Sequence, residues 1–118
     1  MASEIAGYTA VTAALWRQRE AMQRLAGALA GRGALPDAIE DVRFGEILRM
    51  AETQELAAQL GLPGDAGLTE IALVSVEPWQ SILLDHVAAL RRLYTEVTGL
   101  AAVNGHRFWQ ESLDDLLS

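Results

Sequence analysis

With 118 residues, no Cys and a net charge of −7, the chain is sized for one domain, and a disulfide framework or a thiolate metal site is excluded. All nine basic residues are Arg, and residues 61–118 carry three of them against eight acids. The resulting field repels phosphate backbones and anionic lipid, which disfavours nucleic-acid and membrane-surface roles.

No apolar run approaches the roughly 18 residues needed to cross a bilayer. Glu4 stands near the N-terminus with no basic run before an apolar stretch, so no secretory signal is expected. These features predict a cytoplasmic protein without membrane insertion.

The first predicted helix covers about residues 3–30. Tyr8, Val11, Leu15, Gln18, Met22, Leu25 and Leu29 recur at steps of three and four, which places them on one face. Seven alanines between positions 10 and 30 favour helix and let a neighbour approach closely. Trp16 falls beside the stripe and is expected at an edge of the bundle. Gln18 is a polar member of an apolar seam and is expected to reach solvent or a neighbouring polar group.

Gly31-Arg32-Gly33 ends this helix, and a second is predicted over about 38–60 with Asp37 as N-cap. Its apolar residues, Ile39, Val42, Phe44, Ile47, Leu48, Ala51, Leu56 and Leu60, form a face too broad for one coiled-coil seam, so two contacts are expected. Gly61-Leu62-Pro63 reads as a Gly C-cap, a hydrophobic follower and a proline stop. A short helical turn over 69–73, capped by Thr69, leads to an extended connector, Val74-Ser75-Val76.

The third long helix is predicted from Pro78 to Leu117. Trp79, Leu83, Val87, Leu90, Tyr94, Val97 and Ala101 form its stripe, continued by Asn104 and Phe108. Unbroken, it would be about 60 Å long at 1.5 Å per residue, which implies a rod or a break. Asn104-Gly105 is the place where polarity and a weak helix former offer a kink. The fold expected is therefore all-α: one domain over 1–118, an elongated antiparallel three-helix bundle or coiled coil with a long C-terminal helix, running up, down and up.

Reactive groups are scarce. His86 follows Asp85 and His106 lies near Arg107, but neither has metal-ligand spacing or a catalytic partner; both are expected at the surface or a helix edge. Glu40-Asp41 and Asp114-Asp115 are adjacent in sequence, so on a helix their carboxylates diverge by about 100°. No catalytic residue, metal ligand or cofactor is assigned. The last stretch is different in character: Phe108, Trp109, Leu113, Leu116 and Leu117 lie on one side of a helix, with Glu111, Asp114 and Asp115 on the other. Such a patch either recruits a partner helix or completes the core against the first helix.

Leu15-Trp16-Arg17-Gln18-Arg19-Glu20, Leu60-Gly61-Leu62-Pro63 with Leu68, Pro78-Trp79, and Asn104-Gly105 with Ser112-Leu113 together resemble the FlgN family of flagellar type III export chaperones, in the form of high-GC bacteria. Two features depart from the family pattern. Ala101 stands where the first of two Asn residues is usual, and the stretch between the first two helices is short. The resemblance implies a chaperone that binds the C-terminal helices of the hook-associated proteins FlgK and FlgL, prevents their assembly and delivers them to export-gate components. Client binding would then fall on Asn104, Phe108, Trp109, Leu113, Leu116 and Leu117. Two other classes stay open: a coiled-coil adapter that self-associates through its stripes, tested at Leu90 and Val97, and a helical-bundle enzyme or ligand carrier built around Asp85 and His86.

Overall fold

Four helices follow one another in chain order: α1 (Ala2–Leu29), α2 (Leu35–Gln59), α3 (Leu68–Val74) and α4 (Trp79–Val103). A computed structural model describes residues 2–103 of the chain, and no strand occurs among them. The molecule is elongated, 46 × 22 × 21 Å.

Two glycines set the ends of the first two helices. Gly31 has φ of 87°, and the Arg32 and Gly31 amides donate to the carbonyls of Gly27 and Ala28 at 2.8 and 3.0 Å. This Schellman closure recurs at Gly61, φ 73°, where Leu62 and Gly61 donate to Ala57 and Ala58. In both places a left-handed residue lets the chain reverse at once, so consecutive long helices run antiparallel. The expected Gly61-Leu62-Pro63 stop is the second of these closures.

The other boundaries shift. α2 begins at Leu35 with Ala34 as N-cap and Pro36 in the first turn, so Asp37 lies inside the helix and favours it by charge rather than by capping. α3 begins at Leu68 after an extended Gly67, and no Thr69 side chain caps it. Val74 belongs to α3, which shortens the connector before α4 to Ser75–Pro78.

α1 is the central element, with α2 on one side and α4 on the other. Tyr8 stacks on Trp79 and Arg19 meets His86, so α1 and α4 run the same way, with α2 reversed between them in sequence. The predicted stripes of α1 and α4 are the core: Tyr8, Val11, Leu15, Met22 and Leu25 face Leu83, Val87, Leu90, Tyr94 and Val97, all buried. Burying a Leu or Val side chain contributes about 1.5–3 kcal/mol, which is why these two stripes dominate the stability. α3 closes the end of the molecule with Leu68, Ile71 and Ala72. It is tied to α1 by a relay in which the Tyr8 hydroxyl donates to Ser75 Oγ at 2.7 Å and Ser75 donates to the Ile71 carbonyl at 2.6 Å.

α2 departs from its expected face. Val42, Leu56 and Ala57 turn inward, but so do Gly45, Glu46, Arg49 and Thr53, while Phe44, Ile47 and Met50 point outward. The broad apolar pattern is thus divided between two sides of the helix. Gln18 is also corrected: it is fully buried, and neither its Oε1 nor its Nε2 has a hydrogen-bond partner. Gly45 lies opposite, close enough that a Cβ there would come within 3.3 Å of the Gln18 Cα. At that separation α1 and α2 shut the amide away from solvent.

Candidate functional site

Asn104, Phe108, Trp109, Leu113, Leu116 and Leu117 lie outside the described residues, as do His106, the kink expected at Asn104-Gly105 and the continuation of the last helix to 117. Within the described residues, two features stand out: a buried polar cluster between α1 and α4, and an apolar flank on α1 and α2.

The cluster centres on His86, which is 3% exposed and so corrects the surface position expected from sequence. A signal for its burial was present: His86 lies three residues after Leu83 and four before Leu90, directly beside the α4 stripe. On α1, Trp16 and Arg19 are three apart and share the side facing it. The Trp16 ring meets the imidazole edge-on, with centroids 4.9 Å apart and planes at 88°. The Arg19 guanidinium lies 4.2 Å over the Trp16 ring and contacts His86 Nδ1 at 3.1 Å through Nη1. A guanidinium only donates, so Nδ1 accepts and the proton of the neutral ring sits on Nε2.

Burial is the main influence holding the His86 pKa below its ordinary value of 6.5, with Arg19 acting in the same direction and Asp85 opposing both. Asp85 itself is exposed, and the imidazole's hydrogen-bond contact is with Arg19. Trp16 and Arg19 both pack on the imidazole. Among the described residues, no group of three or more His, Cys, Asp or Glu could hold a metal ion. None of their helices is long and apolar enough to cross a membrane.

The flank is the second feature. Trp16 keeps the edge position expected for it and is 49% exposed, while Phe44 and Ile47 on α2 are 50% and 68% exposed. Arg17 lies 4.4 Å over the Phe44 ring and bridges the two helices across their outer side. Beside it runs an open groove of about 600 Å³, floored by Ala10, Ala13 and Ala14 and walled by Trp16, Leu48 and Glu52. Small residues on α1 create the depression, and larger ones on both helices make its rim. A second cleft of about 510 Å³ lies between α2 and the 64–67 loop with the first turn of α3, with Met50, Thr53 and Asp65 among its lining residues.

Leu90 and Val97 are fully buried within their own chain, so they present nothing to a second copy. Among the described residues, the outer face of α2 leaves Phe44, Ile47 and Met50 exposed. No protein-family model matches this chain, and no curated protein or solved structure matches it significantly.

Proposed function

We propose that this chain is a cytoplasmic export chaperone of the FlgN type, which holds the C-terminal helices of hook-associated proteins unassembled and brings them to the flagellar export gate. The observation that carries this reading is the apolar flank formed by Trp16, Phe44 and Ile47 along an elongated helical body. Large apolar side chains left in water on a soluble rod favour capture of an amphipathic helix.

The sequence of 104–117, with Phe108, Trp109, Leu113, Leu116 and Leu117 at helical spacing, would supply a second apolar surface if helical. A client that polymerises through its terminal helices is masked when either surface takes the place of its own partner. The reading assigns no catalytic residue, cofactor or metal, and no nucleic-acid partner. Because the client helix must be ordered on binding, its affinity is moderate and release into the export gate is feasible.

The test is a titration of the full chain with the C-terminal segment of a hook-associated protein, followed by calorimetry. Binding is expected, and the pair Trp109→Ala with Leu113→Ala is expected to weaken it at least about tenfold, as loss of interface anchors does. Absence of a complex, or binding unchanged both in that variant and in Phe44→Ala with Ile47→Ala, overturns the reading.

A second reading, self-association as a coiled-coil adapter, is favoured by the outward Phe44 and Ile47. It predicts a dimer in sedimentation that dissociates on Ile47→Ser. A monomer at all concentrations removes it.

A further inference from the structure

We infer that α2 separates from the α1–α3–α4 assembly as a unit, and that the buried Gln18 amide sets how readily it does so. This inference is independent of the export-chaperone reading. It starts from a difference in the size of the residues that fill the two sides of α1.

On the α4 side large apolar side chains fill most of the interface, and Arg19 is partnered only through its Nη1: its Nε, like Thr98 Oγ1 on α4, is buried without a partner. Leu83, Val87, Leu90 and Val97 fill it, Arg19 reaches His86, and the Tyr8–Ser75–Ile71 relay joins α1 to α3. Gln80 Nε2 donates to the Ala72 carbonyl at 3.1 Å and ties α4 to α3. On the α2 side the middle of the interface is polar. Gln18 lies there with both amide atoms unpartnered, and Thr53 Oγ1 is also buried without a partner. Glu46 and Arg49 are turned inward on the same face.

A buried amide without a partner has lost its hydration and gained nothing in exchange. Moving α2 away returns water to Gln18 and Thr53, so part of the apolar loss on opening is offset. The apolar loss is itself reduced, because the fully buried residues of α2 include few large ones, Val42 and Leu56 among Ala38, Ala57 and Gly45, while Leu35 and Ile39 are only partly buried against the core. Its outward apolar residues, Phe44 and Ile47, are half or more exposed already and lose little when the helix moves.

Both connections can follow such a movement. The α1–α2 turn contains Gly31 and Gly33, both at positive φ, and the α2–α3 turn contains Gly61. Gly64 and Gly67 follow with no atom within 4 Å of a would-be Cβ. Rotation at these points leaves α3 and α4 docked on α1.

Native-state hydrogen exchange of the full chain, resolved by mass spectrometry, tests the inference. Amides of 42–57 in α2 are expected to exchange roughly tenfold or more faster than those of 83–97 in α4, as a sub-global opening requires. Gln18→Leu is expected to slow α2 exchange several-fold. Val97→Ala, which weakens only the α1–α4 contact, is expected to speed α4 exchange while leaving α2 unchanged. Equal protection of α2 and α4, acceleration of both by Val97→Ala, or no slowing by Gln18→Leu overturns it. If Gln18→Leu fails to fold, Thr53→Val is read in its place against the same outcomes.

Discussion

An imidazole whose acceptor nitrogen already receives a guanidinium hydrogen bond gains little from a proton. In His86 that loss of affinity is compounded by burial, so the folded protein binds a proton more weakly than the unfolded chain. Above pH 6.5 the residue is neutral in both states and has no effect on the pH dependence. As pH falls below 6.5, the unfolded chain takes up a proton that the folded one refuses, and stability declines until the folded pKa is passed. Urea unfolding at pH 7.5 and 5.5 is expected to show a larger loss for the natural protein than for His86→Gln. Direct titration of the imidazole by NMR is expected to give a midpoint below 6.5; a midpoint at or above it contradicts the arrangement around Arg19.

His86 and Gln18 also show where legibility stopped at this scale. Gln18 occupies a stripe position and His86 lies beside one, at three and four residues from Leu83 and Leu90, so spacing favours burial of both. Polar side chains ordinarily favour the surface, which opposes that spacing. The pattern was the better guide, because a helix face cannot turn one residue outward while its neighbours at three and four stay in. What spacing could not supply was the partner: Arg19 comes from a different helix, and only the docking of α1 on α4 brings it to 3.1 Å.

At the scale of the element, two glycines in helix interiors make opposite predictions. Gly99 in α4 has nothing within 4 Å of the position a Cβ would take. Gly99→Ala is expected to raise stability by about 0.5–1 kcal/mol, the difference in helix propensity between the two residues. Gly45 in α2 meets the Gln18 backbone at 3.3 Å. Gly45→Ala is expected to forfeit that gain, since the obstacle is main chain and the helices must move apart to admit a methyl group. Denaturant midpoints of the two variants compared with the natural protein check this, and equal gains would show that α1 and α2 are less close than described. Helix ends were readable at this scale because a Gly C-cap is a local device. Helix starts were less so: α2 begins before Asp37 because Pro36 is acceptable in a first turn and the helix needs no side-chain cap there.

At the scale of the whole molecule, apolar residues fall into two classes that substitution separates. Leu90 is fully buried against α1, and Leu90→Ala is expected to cost about 2–5 kcal/mol in unfolding free energy. Ile47 is mostly exposed, and Ile47→Ser is expected to leave stability within about 0.5 kcal/mol while reducing any association through the flank. A thermal or chemical unfolding series reports the first effect and sedimentation the second. A large stability loss in Ile47→Ser would place that residue in a core contact and remove the flank as an interaction surface.

Sequence by itself determined the all-α class, the three long helices and their alternating direction, because helical periodicity, Gly caps and short turns act within a few residues. It also determined the inward faces of α1 and α4, where a narrow stripe admits one orientation only. The orientation of α2 was decided by the tertiary structure alone. A helix with apolar residues on two sides can bury either, and the choice depends on which side lets the backbones come close. Gly45 against Gln18 permits that approach, at the expense of an unpartnered amide inside and Phe44 and Ile47 outside.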